Sequence, residues 1–290
     1  MRLQRLREGL IETLIHVSGV VSILLVILIF VFLLKEGFAL FRTIPVGDFL
    51  AGDRWYPISE PPRFGILPLI LGSGLVTVGA VVLSVPLGVA SALFISEIAR
   101  GWTKETLKTG IELFAAIPSV VLGFIGITVL APLIRQTCHL STGLTALTGS
   151  ITLAFMAMPT IVSITEDALT AVPRGYREAA LALGATHWQM MCRVLLPAAG
   201  SGIVAAVMLG IGRVIGETMA VMMVTGNAAV IPHTFLQPVR TLTATIAAEM
   251  GETVRGSDHY FALFAIGIVL FAISFAVNLI ADLFLHRESQ

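Results

Sequence analysis

The stretch that decides the fold is Pro173–Pro197, PRGYREAALALGATHWQMMCRVLLP. It is a polar insert between two long apolar segments. Pro173 suits the first turn of a helix, where a missing N–H costs nothing, and Glu178-Ala179-Ala180 lie in a strongly helix-forming run. Gly184 permits a sharp change of direction, because glycine reaches backbone angles that other residues avoid. With the helical run Trp188–Leu195 after it, the stretch predicts two short helices joined at Gly184.

The composition is that of a polytopic membrane protein. Of the 290 residues, 56% are hydrophobic and only 12% are charged, whereas soluble domains have about 25% charged residues. The formal net charge of zero gives no electrostatic reason to expect a nucleic-acid partner. Cys138 and Cys192 fit neither a disulfide framework nor a metal site, so we expect no metal and no cofactor.

Apolar runs of membrane-spanning length predict an all-α protein with six transmembrane helices, since a crossing needs about 20 apolar residues. The predicted crossings lie at about 11–34, within 66–96, and at about 110–134, 148–169, 198–224 and 260–282. Pro86, Pro118 and Pro159 are expected to bend the second, third and fourth crossings. The external segment 226–258 contains Thr241–Glu249, which predicts a short helix on the membrane surface.

Charge asymmetry predicts that both termini are cytoplasmic. Arg2, Arg5 and Arg7 precede the first apolar run, and the loops on that side carry more Lys and Arg than the others. The first run is too long for a signal-peptide core, so we interpret it as a retained helix. We divide the chain into 1–60, a first helix with an external connector, and 61–290, a transmembrane permease domain that contains the loop 173–197.

The most informative charge inside a predicted membrane helix is Arg213. Glu217 follows four residues later, which in an uninterrupted helix puts both side chains on one face. One interpretation is an ion pair that neutralises two buried charges. The other is that Arg213 lines the path of an anionic substrate and Glu217 holds the arginine when the path is empty, because a guanidinium binds an oxyanion through two parallel hydrogen bonds. The flanking Gly210, Gly212 and Gly216 suit close helix packing.

Further polar residues near these segments have weaker interpretations. Four hydroxyls are candidate donors to an anion, although membrane hydroxyls usually bond their own backbone: Thr218, Ser119, Thr160 and Thr165. Glu166 and Asp167 lie at the end of the fourth crossing. Their carboxylates either face water or form ion pairs with Arg174 or Arg177. The chain has no phosphate-binding G-x-x-x-x-G-K-[ST] loop and no nucleophile–base pattern, so an intramembrane enzyme is disfavoured.

The spacing in 173–197 resembles the EAA loop of permease subunits from binding-protein-dependent ABC importers. Glu178-Ala179-Ala180, then Gly184, then nine residues, then Val194 and Leu196-Pro197 match the family pattern, with valine in place of isoleucine. The resemblance implies that these positions dock into a cleft of a separate cytoplasmic ATPase. Without it, the stretch would be an amphipathic helix at the bilayer interface.

Motifs elsewhere are similar to those of the phosphate-specific, PstC-type permeases. They are FGILP (64–68), SVPLG (84–88), AIPSVV (116–121), GRVIGETMAV (212–221) with GN (226–227), and PVRTLTATIA (238–247). The resemblance implies a type I ABC importer permease fold and non-catalytic transport of phosphate across the inner membrane. It also implies three partners: a PstA-like permease, a PstB-like ATPase and a PstS-like external phosphate-binding protein. Membrane lipid surrounds the assembly.

Two other functions remain open from the sequence. The same machinery could move another oxyanion, such as sulfate, molybdate or phosphonate. A self-sufficient channel or secondary transporter is the other alternative, and the EAA loop argues against it, because a channel has no ATPase to dock. We predict that Arg213, Glu217 and Thr218 belong to the substrate pathway, and that Glu178, Ala179, Ala180, Gly184, Leu196 and Pro197 couple the chain to its ATPase.

Overall fold

The fold is known from a computed structural model that describes residues 2–288, with side chains described for residues 11–280 and Leu283. Its α-helices, in chain order, are α1 (Arg2–Ala39), α2 (Val46–Ala51), α3 (Leu67–Leu93), α4 (Trp102–Ala115), α5 (Ser119–Ile125), α6 (Ala131–Thr137), α7 (Ala146–Ala171), α8 (Arg174–Ala182), α9 (His187–Met190), α10 (Leu196–Ala198), α11 (Gly200–Gly216), α12 (Met219–Val224), α13 (Leu242–Glu249) and α14 (Asp258–Glu288). A 3-10 turn at Leu40–Arg42 follows α1, and π-helical turns occur at Phe94–Ile98, Gly126–Leu130 and Met191–Leu195. Strands β1 (Trp55–Tyr56) and β2 (Arg63–Phe64) form a small antiparallel hairpin.

Within the described residues, five helical segments are long and apolar enough to cross a membrane: Ile11–Arg42, Leu67–Ile98, Ser119–Thr137, Ala146–Ala171 and Asp258–Ile280. The helices His187–Ala198 and Gly200–Gly216 meet at a bend of 72° and bring the number of crossings to six when the pair is counted as one span. Helices satisfy their own backbone hydrogen bonds, as lipid requires. The six-helix prediction is therefore confirmed, with one crossing entered through a bent helix pair.

The third crossing begins later than predicted. Instead of one helix at about 110–134, α4 ends at Ala115 and α5 begins at Ser119. Pro118 stands between them with φ −59° and ψ 140°, because proline lacks an N–H and its ring clashes with a preceding helical turn. Pro118 therefore separates two helices instead of bending one, whereas Pro86 and Pro159 lie inside the continuous helices α3 and α7.

The centre of the bundle is the contact between α3 and α7, which run side by side. Glycines allow the two backbones to approach closely: a Cβ on Gly88 would lie 2.7 Å from Cγ2 of Ile161. The Ser150 hydroxyl donates to the carbonyl of Val76 at 3.2 Å. Helices α3 and α7 therefore form a closely packed pair.

The end of the bundle formed by the α1–α3 connector, α13 and the start of α14 has its own apolar cluster. The connector between α1 and α3 contributes buried side chains that pack against α13 and α14: Leu40, Phe49, Trp55 and Phe64, with Leu242, Leu263 and Ile266. Helix α1 contacts the bundle mainly along α14, where the rings of Phe30 and Phe271 lie 4.8 Å apart. Between residues 11 and 34, most of the remaining surface of α1 is exposed and apolar, as a lipid-facing helix requires.

The short helix predicted at 241–249 is present, and the protein itself buries its first half. The buried residues of α13 run from Leu242 to Thr245. Burial is tolerated because the hydroxyls have partners: Thr241 accepts from the Ala244 N–H, and Thr245 donates to the Thr241 carbonyl at 2.8 Å. The alternation of threonine with apolar residues in this segment therefore indicates a buried helix.

One carboxylate joins the elements at this end of the bundle. Glu249, whose side chain is 15% exposed, lies 2.8 Å from Nη1 of Arg240 and 2.8 Å from Nε2 of His259. The indole Nε1 of Trp55 also donates to it, at 3.1 Å. A largely buried charge is tolerated when paired and hydrogen-bonded in this way. Glu249 thus fixes the connector, α13 and α14 relative to one another.

Candidate functional site

The helix that carries Arg213 is broken immediately after it. Helix α11 ends at Gly216, and Glu217 has an extended conformation with φ −70° and ψ 129°. The Glu217 carboxylate accepts the N–H of Ala220 at 3.1 Å, near the start of α12, where a negative charge is favourable. The prediction that Arg213 and Glu217 share one helical face is therefore wrong, because the helix does not continue between them.

Arg213 and Glu217 do not form the predicted ion pair. In the described part of the chain, Arg213 has no carboxylate within 4.0 Å, and its Nη1 donates to the hydroxyl of Thr160 at 3.3 Å. Thr160 lies near the middle of α7, about 20 Å from the start of that helix at 1.5 Å per residue. An exposed arginine at this depth is costly in hydrocarbon, by about 2.5–3.5 kcal/mol on insertion scales. Its surroundings must therefore be water or another protein chain.

The glycines near Arg213 divide into two kinds. Gly210 is buried against Ile161, where an added Cβ would lie 2.7 Å from Cγ1, as predicted for helix packing. Gly212 and Gly216 have no neighbouring atom within 4 Å of such a Cβ. The exposed face of α11 therefore keeps open space on both sides of the arginine.

Hydroxyl groups around the helix break have different partners. Thr218 donates to the carbonyl of Gly216 at 3.1 Å, so it bonds local backbone, as membrane hydroxyls usually do. Thr243, which the sequence did not single out, donates from α13 to the carbonyl of Glu217 at 3.0 Å. Of the four predicted donors, Thr160 is the one that contacts Arg213, whereas the Thr165 hydroxyl is buried without a partner among the described residues.

The stretch 173–197 folds as predicted into two short helices. Gly184 joins α8 to α9 with φ +81°, a left-handed conformation that favours glycine. Its N–H donates to Leu181, and the N–H of Ala185 donates to Ala180, which together make a Schellman motif. Thr186 and Gln189 then form a capping box at the start of α9.

One side of this helical pair is buried and the other is free. Ala180 and Leu195 pack into a cluster with the ends of α3 and α7. Glu178, Ala179, Gly184 and Pro197 are exposed, and Leu196 is half-buried. The sequence reasoning missed three large apolar side chains on the free side: Tyr176, 54% exposed, Leu183, 89% exposed, and Trp188, 65% exposed. We call these three residues the exposed coupling patch.

The charged residues at the end of α7 and in α8 pair differently from prediction. Glu166 is 5% exposed and contacts Lys108 at 2.8 Å and Lys104 at 3.5 Å, instead of Arg174 or Arg177. The hydrogen bond to Glu166 raises the pKa of Lys108 above its usual value, so this lysine is cationic at neutral pH. The pairing holds α4 against α7. Arg177 contacts Glu97 at 2.9 Å.

Comparison with known proteins identifies the family of the chain. Residues 84–290 match the family model described as "Binding-protein-dependent transport system inner membrane component". The chain belongs to this family. The probable ABC transporter permease YqgH of Bacillus subtilis is 45% identical, over 79% of this chain and 74% of its own length. The phosphate transport permease PstC of Mesorhizobium japonicum is 36% identical, over 83% of this chain and 78% of its own length.

Solved structures show the same fold at low sequence identity. A bacterial alginate ABC transporter, in complex with a periplasmic protein that holds an alginate pentasaccharide, gives a TM-score of 0.67 at 15% identity, with 93% of both chains covered. The inward-facing methionine transporter MetNI gives a TM-score of 0.61 at 21% identity, over 80% of this chain and 100% of that chain. These similarities confirm the type I ABC importer permease fold.

Proposed function

We propose that this chain is the PstC-type permease subunit of an ABC importer that moves inorganic phosphate across the cytoplasmic membrane. The observation that carries the proposal is Arg213, a mid-membrane arginine on an open, glycine-lined surface with a neutral hydroxyl as its one partner in the described structure. A guanidinium without a bound carboxylate is available to a phosphate through two parallel hydrogen bonds. The relatives named PstC are phosphate transport permeases, which selects phosphate over other oxyanions.

A second permease chain is part of the proposal, because this chain alone does not enclose Arg213. Gly212 and Gly216 are exposed, as is Met219 beyond the helix break, and an open arginine would otherwise face lipid. A PstA-like partner over these residues would complete a water-filled path between the two subunits. Glu217 and Thr218 then act at the break, where Glu217 caps α12 and leaves Arg213 to the substrate.

Energy for transport comes from a separate subunit in this proposal. The exposed coupling patch gives a PstB-like ATPase an apolar surface beside Glu178, Ala179 and Gly184. Aromatic and large apolar side chains of this kind are frequent at the centres of protein interfaces. A PstS-like binding protein would deliver phosphate from outside, and this chain acts as a non-catalytic permease.

Transport by reconstituted complexes tests the substrate. The chain is reconstituted in vesicles with its PstA-like, PstB-like and PstS-like partners, and uptake of radiolabelled phosphate is measured with and without ATP. We expect ATP-dependent uptake that excess unlabelled phosphate suppresses and excess sulfate, molybdate or phosphonate does not. Uptake of labelled sulfate or molybdate in place of phosphate would assign the other-oxyanion function, and uptake without the ATPase would assign a channel or secondary transporter.

Both termini are proposed to be cytoplasmic, and labelling tests this orientation. After replacement of Cys138 and Cys192 by serine, single cysteines are introduced as His187→Cys in α9 and Asp53→Cys in the external connector, both at exposed positions. A membrane-impermeant thiol reagent applied outside whole cells should label position 53 and leave position 187 unlabelled until the membrane is opened. Labelling of both from outside would contradict the orientation.

A further inference from the structure

The Arg177 side chain binds three residues at the ends of two helices, although it lies next to exposed Glu178. Its Nη2 donates to Oε1 of Glu97 at 2.9 Å, and its Nε also faces that carboxylate, at 3.3 Å. The same guanidinium donates from Nη1 to the carbonyl of Val172 at 2.8 Å and from Nη2 to the carbonyl of Leu169 at 2.8 Å. The Arg177 and Glu97 side chains are only 20% and 11% exposed, so water screens this cluster weakly.

The groups that Arg177 binds belong to the two central helices. Glu97 lies in the π-helical turn Phe94–Ile98 that follows α3, and Leu169 contributes one of the last carbonyls of α7, which otherwise accepts only the N–H of Val172, at 3.4 Å, in the described structure. Arg177 itself belongs to α8. One side chain therefore ties the first coupling helix to the ends of both α3 and α7, by charge-assisted hydrogen bonds that are stronger than neutral ones.

The helix α7 connects this cluster to the centre of the membrane. Its residue Thr160 accepts the hydrogen bond of Arg213, and Leu169 follows nine positions later, about 13 Å further along the helix at 1.5 Å per residue. A helix is rigid over such a distance, and α7 packs closely on α3 (above). A displacement of α8 therefore reaches the surroundings of Arg213 through a continuous path of packed elements.

We propose that Arg177 is a positioning residue for energy coupling: it fixes α8 to α3 and α7, so that a movement of α8 driven by the ATPase moves both helices as one body. The inference rests on the proposed function, since it requires an ATPase partner. It assigns to Arg177 a role distinct from docking. The residue faces its own bundle, whereas the exposed coupling patch and Glu178 face the partner. Loss of Arg177 should leave ATP hydrolysis in place and remove its effect on transport.

The test measures phosphate transported per ATP hydrolysed, in the reconstituted complex with all partners. We expect Arg177→Ala to lower this ratio by about tenfold or more, because it removes the bonds to Glu97, Val172 and Leu169 together, and the loss of even one hydrogen bond to a charged group commonly costs about tenfold. Arg177→Lys should give an intermediate ratio, because an ammonium lacks the planar fork that reaches two carbonyls and a carboxylate together. Glu97→Gln should lower the ratio less than Arg177→Ala, because the bonds to Leu169 and Val172 remain.

Two controls separate coupling from folding. Arg100→Ala removes an exposed cytoplasmic arginine that has no carboxylate partner in the described structure, and it should keep the wild-type ratio. Arg177→Ala/Glu97→Gln should be no worse than Arg177→Ala, because residues of one network are not additive. If Arg177→Ala prevents assembly, the ratios of Arg177→Lys and Glu97→Gln, normalised to assembled complex, decide the question.

The outcomes distinguish this inference from the proposed function. Wild-type ratios in the Arg177 and Glu97 variants, with normal phosphate uptake by the wild-type complex, would overturn the coupling role and leave the function intact. Absence of ATP-driven phosphate uptake by the wild-type complex would overturn the proposed function itself. Equal losses of ATP hydrolysis and uptake, with an unchanged ratio, would show that Arg177 acts only in docking or stability.

Discussion

Arg213→Ala is expected to lower ATP-driven phosphate uptake by about a hundredfold or more, the effect of losing two hydrogen bonds to a charged group at about 1.5–3 kcal/mol each. Arg213→Lys keeps the charge but offers a compact ammonium without the planar fork that matches two phosphate oxygens. We therefore expect uptake by Arg213→Lys to lie between that of the wild type and that of Arg213→Ala. The measurement is uptake by reconstituted complex, normalised to the amount assembled.

Two further variants serve as controls for Arg213: one removes its hydroxyl partner and the other removes an arginine elsewhere in the chain. Thr160→Val removes one hydroxyl that contacts Nη1 at 3.3 Å and keeps the shape of the side chain, so its effect should be several-fold smaller. Arg100→Ala, an exposed arginine outside the membrane helices, should transport normally. Wild-type uptake by both Arg213→Ala and Arg213→Lys would remove Arg213 from the substrate path and leave it a structural residue.

Glu217→Gln separates the two interpretations of the acidic residue. Its carboxylate accepts the Ala220 N–H and makes no ion pair with Arg213 within the described structure, and a glutamine carbonyl oxygen can accept the same hydrogen bond. The variant should therefore assemble normally. A large loss of inserted protein would instead indicate that the charge of Glu217 balances Arg213.

Gly184→Pro is expected to abolish coupled transport while the protein still inserts. Proline is restricted to φ near −65°, whereas Gly184 has φ +81° and donates its N–H to Leu181 at 3.0 Å. Both the angle and the donor are lost, at a cost of about 3 kcal/mol or more in comparable helical positions. The connection between α8 and α9 cannot form, so the exposed coupling patch loses its arrangement. The measurement is phosphate uptake beside ATP hydrolysis and co-purification of the ATPase.

Transport by milder Gly184 variants should depend on how readily the new residue adopts a left-handed backbone conformation. Gly184→Asn should transport better than Gly184→Ala, because asparagine visits left-handed conformations more readily than other residues with a side chain. Gly110→Ala is the matched control: Gly110 is helical in α4 and has open space where a Cβ would lie, so uptake should be unchanged. Wild-type uptake by Gly184→Pro would contradict a coupling role for the bend.

Glu178→Lys should likewise uncouple transport, because it reverses an exposed charge beside the exposed coupling patch.

The sequence by itself determined the membrane class, the number of crossings and the two short helices of 173–197 with their turn at Gly184. These features depend on local signals: apolar length, helix propensity, and the backbone angle that only glycine adopts cheaply. It also selected Arg213, because an arginine in an apolar run is costly wherever its partners lie.

Only the tertiary structure determined which side chains contact one another and which faces of the helices are buried. Spacing alone predicted the pair Arg213–Glu217, whereas the helix ends between them and the Glu217 carboxylate caps α12 instead. Spacing also could not show that Arg177 reaches Glu97, 80 residues away in the chain, or that Thr243 supports the break. A side chain's partner depends on which helices pack together, and helix packing is a property of the whole bundle that no local pattern contains.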